Sequence, residues 1–106
     1  MFEKEYRDLE IYGQRIENVK EHIAEENLYE FDLIHREIYK IAMLIDLVAE
    51  HKYGTTLYKL EKAKQFKSIK TLEYCTEYLD ALLRLATEHL RVKEAEEALK
   101  NQEVPA

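Results

Sequence analysis

Acidic side chains at helical spacing in the last third of the chain are the residues best suited to bind a divalent metal. Glu77 and Asp80 are three residues apart, and Glu96 and Glu97 follow in the same segment. Mg²⁺ requires near-octahedral geometry, and a pair of acids three residues apart on one helix is usually a solvated surface. The preceding segment adds only Glu61, which lies among lysines. We therefore predict no catalytic residues, no metal site and no cofactor.

The segment that contains these acids, TEYLDALLRLATEHLRVKEAEEALK, resembles the second metal-binding helix of MazG-type nucleotide pyrophosphohydrolases. In that family the helix carries Glu-x-x-Asp and a later Glu-Glu-Ala-Leu, matched here by Glu77, Asp80 and Glu96–Leu99. The resemblance implies magnesium held by carboxylates and a nucleoside triphosphate substrate. The family's partner motif, Glu-Glu-x-x-Glu on the preceding helix, is absent from this sequence. A divergent pyrophosphohydrolase is therefore an alternative function.

Histidines suggest two other kinds of site. Di-iron bundles use Glu-x-x-His twice, whereas this sequence has a single approach to that motif, Asp32-x-x-His35. Arg84 and His89 in RLATEH are similar to the Arg-x4-His motif of HEPN-type ribonucleases, small helical domains that act on RNA. Arg15 and His22 match a looser form of that spacing. His89 also falls on an apolar seam, so we interpret it as a packing residue.

Lysines are concentrated in the segment 52–70. Six lysines and one glutamate give this segment a net charge of +5 in a chain of net charge −6, so the remaining residues carry −11. A nucleic-acid-binding regulator is one interpretation, because lysines contact phosphates without reading sequence. The candidate binding residues are Lys59, Lys62, Lys64, Lys67 and Lys70. In the other interpretation these lysines face the acidic surfaces of the first and fourth helices, within one protomer or across a dimer.

Tyrosines provide a second candidate surface. Eight occur in the chain, and several lie beside the apolar seams rather than on them. Tyrosine is common at interfaces because it buries area while its hydroxyl stays wet. Tyr29, Tyr39, Tyr74 and Tyr78 therefore form a candidate interface with a partner, or else the rim of a monomer core.

The composition favours one small helical domain. The 106 residues include only two glycines and one proline, too few turn residues for a sheet-rich fold. The sequence shows no apolar run long enough to span a bilayer, and its charged N-terminus MFEKEYRDLE has no signal-peptide core. A single cysteine, Cys75, cannot form an internal disulfide and predicts a reducing, cytoplasmic setting. The surplus of Lys, Glu, Ile and Tyr is typical of thermophiles or their viruses.

Two heptad seams define the first two helices. The first comprises Leu9, Tyr12, Ile16, Val19 and Ile23, and the second Phe31, Ile34, Ile38, Ile41, Ile45 and Val48. The second is out of phase with the first, which predicts a break near Glu26–Asn27 with Asn27 as the N-cap. Gly13 lies beside the first seam, where it either allows a close helix approach or, as we favour, is a tolerated defect in the helix.

The two remaining helices follow a predicted turn at HKYG. Gly54 should supply the left-handed residue after the second helix, and Thr55 or Thr56 should cap a short third helix over 57–66. Ser68 or Thr71 should then cap a long fourth helix, whose seam comprises Leu72, Cys75, Leu79, Leu82, Ala86 and His89.

These patterns predict an all-α antiparallel bundle of three long helices and one short helix, with the second and fourth helices central. Residues 1–100 should form the domain and 101–106 a frayed tail. Wide apolar faces in so short a chain favour a homodimer or higher oligomer. We expect a non-catalytic interaction or scaffold protein that contacts a protein partner through helix faces, with no membrane association.

Overall fold

The computed structural model describes residues 1–24 and 30–102, which form four helices and contain no strand. The helices are α1 (Glu3–Ala24), α2 (Phe31–Val48), α3 (Gly54–Ala63) and α4 (Ile69–Gln102). The prediction of an all-helical chain is confirmed. The predicted break at Glu26–Asn27, the Asn27 cap and Tyr29 lie outside the described residues, as do residues 103–106 of the expected tail. Residues 101 and 102 of that tail belong to α4.

Helix α1 runs antiparallel to α4. Near the end of α1, the Lys20 ammonium donates a hydrogen bond of 2.7 Å to Asp80, in the first half of α4. At the other end, the Phe2 ring lies 5.7 Å from the ammonium of Lys93. The start of α1 therefore lies level with Lys93, and α4 continues beyond it to Gln102.

Helices α2, α3 and α4 are ordered by two further contacts. His35, early in α2, lies with its Nε2 2.7 Å from the carbonyl oxygen of Leu60, late in α3, so these two helices are antiparallel. Glu50, just after α2, forms an ion pair with Lys93 in the second half of α4, so α2 and α4 are parallel. The chain thus forms an up-down-up-down bundle whose third helix is short.

The hydrophobic core is built from the predicted seams. Its buried members are Leu9, Ile16, Val19 and Ile23 of α1, Phe31, Ile34, Ile38, Ile41, Ala42 and Ile45 of α2, Ala49 after it, Leu60 of α3, and Leu72, Cys75, Leu79, Leu82, Ala86 and Leu90 of α4. Helices α2 and α4 contact each other and both remaining helices, which makes them the central pair as predicted. Burying a Leu or Ile side chain contributes about 1.5–3 kcal/mol, so these seams supply most of the favourable free energy of folding.

The turn after α2 differs from the prediction. Glu50 and His51 adopt left-handed backbone conformations, with φ of 54° and 63°. Gly54 has a negative φ and is the first residue of α3. The His51 N–H donates to the carbonyl of Asp46 at 2.8 Å, and its ring Nδ1 lies 3.0 Å from the Asp46 carboxylate. The buried Asp46 carboxylate thus holds His51 in a conformation that sequence reasoning assigns to glycine.

The predicted N-caps of α3 and α4 have different outcomes in the structure. The prediction of a Thr55 or Thr56 cap is wrong, because Tyr53 precedes α3 and makes no capping hydrogen bond with its side chain. The prediction for α4 is confirmed at Ser68, whose Oγ accepts the N–H of Thr71 at 3.1 Å. α3 begins and ends three residues earlier than the predicted helix over 57–66.

Gly13 marks a close approach between α1 and α4. A Cβ atom at this position would lie 3.3 Å from Leu83 Cδ2. This contact supports the interpretation of Gly13 as a close helix approach, because the missing side chain lets Leu83 pack against the backbone of α1.

The bundle is elongated, with extents of 64 × 23 × 15 Å. The 34 residues of α4 span about 51 Å at 1.5 Å per residue. Across residues 1–24 and 30–102, no helix is both long enough and apolar enough to cross a lipid bilayer.

Candidate functional site

The five candidate lysines follow α3 into the start of α4. Lys59 and Lys62 lie on α3, Lys64 and Lys67 in the connection, and Lys70 in the first turn of α4; all five are exposed. The short α3 and the tight Ser68 cap are what bring them together, because the chain reverses direction within a few residues of Ala63.

Four of these five lysines form no ion pair with a carboxylate of residues 1–24 or 30–102. Lys67 forms an ion pair with Asp32 of α2 at 3.3 Å, with both side chains about 60% exposed. Such a surface pair contributes about 0–1 kcal/mol. Among residues 1–24 and 30–102, no other ion pair involves the five lysines, and none joins them to α1 or α4. The expected neutralisation by acids of the first and fourth helices is thus not found within the described protomer.

A groove of about 650 Å³ separates α3 from the first turns of α4. We call it the α3–α4 groove; its principal side chains are Tyr58, Lys59, Lys62, Phe66, Lys70, Tyr74 and Tyr78. Three of its rings are largely exposed, Tyr58 at 63%, Phe66 at 66% and Tyr74 at 57%. Large aromatic rings are usually at least partly buried, so this exposed cluster is a candidate binding face.

Lysine ammoniums lie over the rings of this groove. Lys59 Nζ is 5.6 Å from the Tyr78 ring centre, and Lys62 Nζ is 5.4 Å from that of Tyr58. Tyr74 and Tyr78 meet edge to face, with centres 5.2 Å apart. The neighbouring Tyr78 hydroxyl raises the pKa of the Tyr74 hydroxyl. Cation–π contacts order the ammoniums without cancelling their charge, so the groove remains positive.

The four candidate interface tyrosines do not form one surface. Tyr74 and Tyr78 line the α3–α4 groove. Tyr39 lies on the opposite side of α3, in the groove that α3 forms with α2, together with Lys64 and Lys67. Helix α3 therefore separates Tyr39 from the other two, and Tyr29 lies outside the described residues.

The acids that resemble a MazG metal helix are dispersed. Asp80 accepts the hydrogen bond from Lys20, which raises the pKa of that lysine. Glu77 and Glu96 are exposed on α4, and Glu97 is half-buried. In the part of the chain that the structure describes, no three His, Cys, Asp or Glu side chains converge as a metal site would require.

The residues that resemble a HEPN motif are also apart. Arg84 and His89 differ by about 140° around α4, given 100° per residue. Arg84 is exposed, whereas His89 is half-buried and its Nε2 has no hydrogen-bond partner among the described atoms. The looser pair, Arg15 and His22, lies on one face of α1. The Arg15 guanidinium donates a hydrogen bond of 2.5 Å to Glu37, and His22 Nε2 lies 2.5 Å from the carboxylate of Glu30.

A second apolar stripe on α4 escaped the sequence reasoning. Leu85, Val92 and Leu99 are spaced seven residues apart and are 43%, 48% and 57% exposed. Ala95 and Glu88 occupy the intervening heptad positions, and both are exposed. We call Leu85, Glu88, Val92, Ala95 and Leu99 the C-terminal stripe. The seven-residue recurrence was the available signal, but the buried seam of the same helix concealed it.

Comparison with known proteins assigns no family to this chain, since no protein-family model, no curated protein and no solved structure matches it. The two surfaces just described are consequently the basis for a functional proposal.

Proposed function

We propose that this chain is a small, non-catalytic interaction protein that self-associates through α4 and offers its other helix faces to a protein partner. The observation that supports this proposal is the C-terminal stripe, where Leu85, Val92 and Leu99 are exposed at a spacing of seven residues. A seven-residue apolar repeat is the pattern by which one helix packs along another. Within the described protomer Leu99 lies beyond the start of α1, which is level with Lys93, and Leu85 and Val92 are exposed on the preceding turns of α4.

The expected stability of the dimer follows from the apolar surface that the C-terminal stripe leaves exposed. Full burial of a Leu or Val contributes about 1.5–3 kcal/mol, so a side chain that is half exposed contributes about 1 kcal/mol on pairing. Three such side chains from each copy give roughly 6 kcal/mol, which exceeds only the lower end of the association cost of about 4–15 kcal/mol. The stripe alone therefore supports a weak dimer that forms only at high protein concentration.

The charged member of the stripe favours an antiparallel pair. In a parallel, in-register dimer each Glu88 would face its own copy across the seam, and like charges at that distance repel. In an antiparallel pair Glu88 faces an apolar residue at the seam edge and reaches solvent. The parallel arrangement is therefore the less stable one.

Light scattering across a wide range of protein concentration tests the proposal. The wild-type mass should rise from monomer to dimer, and Val92→Glu should remain monomeric because a charge would enter the seam. Ile11→Glu is the matched control, since Ile11 is 50% exposed on α1, away from the stripe. A wild-type mass that stays monomeric at every concentration would contradict self-association, and equal effects of both variants would contradict the choice of surface.

A further inference from the structure

The α3–α4 groove differs from the C-terminal stripe in charge and in the chemistry of its walls. It combines three largely exposed rings, those of Tyr58, Phe66 and Tyr74, with several lysines. We propose that this groove binds single-stranded nucleic acid without preference for base sequence. This activity is independent of self-association through α4.

The charge of the groove suits a polyphosphate. Lys59, Lys62 and Lys70 line it, and none of the three forms an ion pair with any described carboxylate. The surrounding segment 52–70 carries +5 in a chain of net charge −6. The local positive field therefore persists in an acidic protein, which is sufficient for contacts with phosphates.

The rings distinguish single strands from other anions. Bases of a single strand stack on exposed aromatic side chains, whereas bases in a duplex stack on each other and leave such rings unused. Tyr58 stands on α3 and Tyr74 on α4, so ring faces are available on both sides of the groove. An acidic peptide would satisfy the ammoniums but would leave three large rings in water. The first turn of α4 also lacks the Arg, Asn or Gln side chains that read duplex base edges.

Fluorescence anisotropy with labelled oligothymidine and oligouridine tests this inference, with a duplex of equal length and polyglutamate as competitors. We expect the single strands to bind at least about tenfold more tightly than the duplex at low salt. The logarithm of the binding constant should fall with that of the salt concentration with a slope of about −2, since each phosphate contact on a single strand contributes about −0.7.

Two sets of variants locate the site. Lys62→Glu should weaken binding and reduce the salt slope by about one contact, whereas Lys40→Glu, an equal charge change on the exposed face of α2, should not change the slope. Tyr58→Ala and Tyr74→Ala should each weaken binding about tenfold with the slope retained, because stacking is lost and charge is not. All four positions are exposed, so circular dichroism should show an unchanged fold.

Several outcomes would overturn the inference. These are equal affinity for duplex and single strand, equal effects of Lys62→Glu and Lys40→Glu, or binding that survives loss of both tyrosines. Tight binding of polyglutamate that the tyrosine variants leave unchanged would identify the groove as a site for an acidic protein instead. Because the groove lies within one protomer, Val92→Glu should bind the oligonucleotides as well as wild type does. That result separates this inference from the proposal of self-association.

Discussion

Replacing Gly13 by alanine should stabilise the protein despite the close contact at this position. Glycine inside a helix costs about 1 kcal/mol relative to alanine. The new Cβ would lie 3.3 Å from Leu83 Cδ2, so Leu83 must move by a few tenths of an ångström. Leu83 is half-buried and borders an open groove of about 600 Å³, so the end of its side chain has room to move. That small displacement costs less than a full off-rotamer shift of about 0.5–1.5 kcal/mol.

The net gain for Gly13→Ala is therefore about 0.5–1 kcal/mol, or roughly 3–6 °C in melting temperature for a domain of this size. Urea unfolding followed by circular dichroism should show a higher midpoint with an unchanged slope. Gly54→Ala is the control, because a Cβ there meets nothing within 4 Å. In a Leu83→Ala background the gain from Gly13→Ala should grow by a few tenths of a kcal/mol. A lower midpoint for Gly13→Ala would refute the reasoning and show that Leu83 is held rigidly against α1.

Three further predictions concern Cys75, His51 and Glu88. Burial raises the pKa of the Cys75 thiol from 9.0 to about 11, so Ellman's reagent should label it only after unfolding. Between pH 9.0 and about 11 the folded Cys75 keeps its proton while the unfolded thiol loses it. The free energy of unfolding should therefore fall as pH rises through this range, and it should fall less in Cys75→Ala. His51→Asn, which tolerates the left-handed backbone, should cost about 1–3 kcal/mol in urea unfolding, because the buried Asp46 carboxylate loses its partner; an unchanged midpoint would contradict this. Glu88→Leu should strengthen self-association measured by light scattering, since it completes the C-terminal stripe; a weaker dimer would exclude Glu88 from the seam.

The helices themselves were predictable because their seams follow from side-chain spacing alone. The apolar steps of three and four residues in α1 and α2 match the buried positions except Tyr12 and Val48, which are half-buried, and the Ser68 cap follows from a local hydrogen bond. The turn after α2 was not predictable in this way. Its left-handed residues are Glu50 and His51, and the contact that holds His51 involves the carboxylate of Asp46, which only the folded chain buries.

The residues of the candidate site could be predicted from the sequence, but their arrangement in space could not. Charge counting locates the lysines. Within the described part of the chain, Lys67 is the one member of the five that forms an ion pair, and its partner lies on α2 rather than on α1 or α4. That Tyr58, Phe66 and Tyr74 share a groove depends on how α3 folds back onto α4, which no local pattern specifies. The C-terminal stripe shows the reverse case. Its repeat is visible in the sequence, but its exposure depends on how the other helices pack against α4.

At the uncovered end of α4, folding and the choice of a binding neighbour depend on different residues, whereas in small proteins the same residues usually serve both. Between Ala95 and Gln102 every side chain except that of Glu97 is exposed, and none belongs to the hydrophobic core. Substitutions in this segment can therefore accumulate without loss of folding, so its choice of neighbour can diverge while the bundle stays constant. A reporter domain joined directly after Gln102 would be carried on a continuous helical arm, at a set distance from the body of the protein.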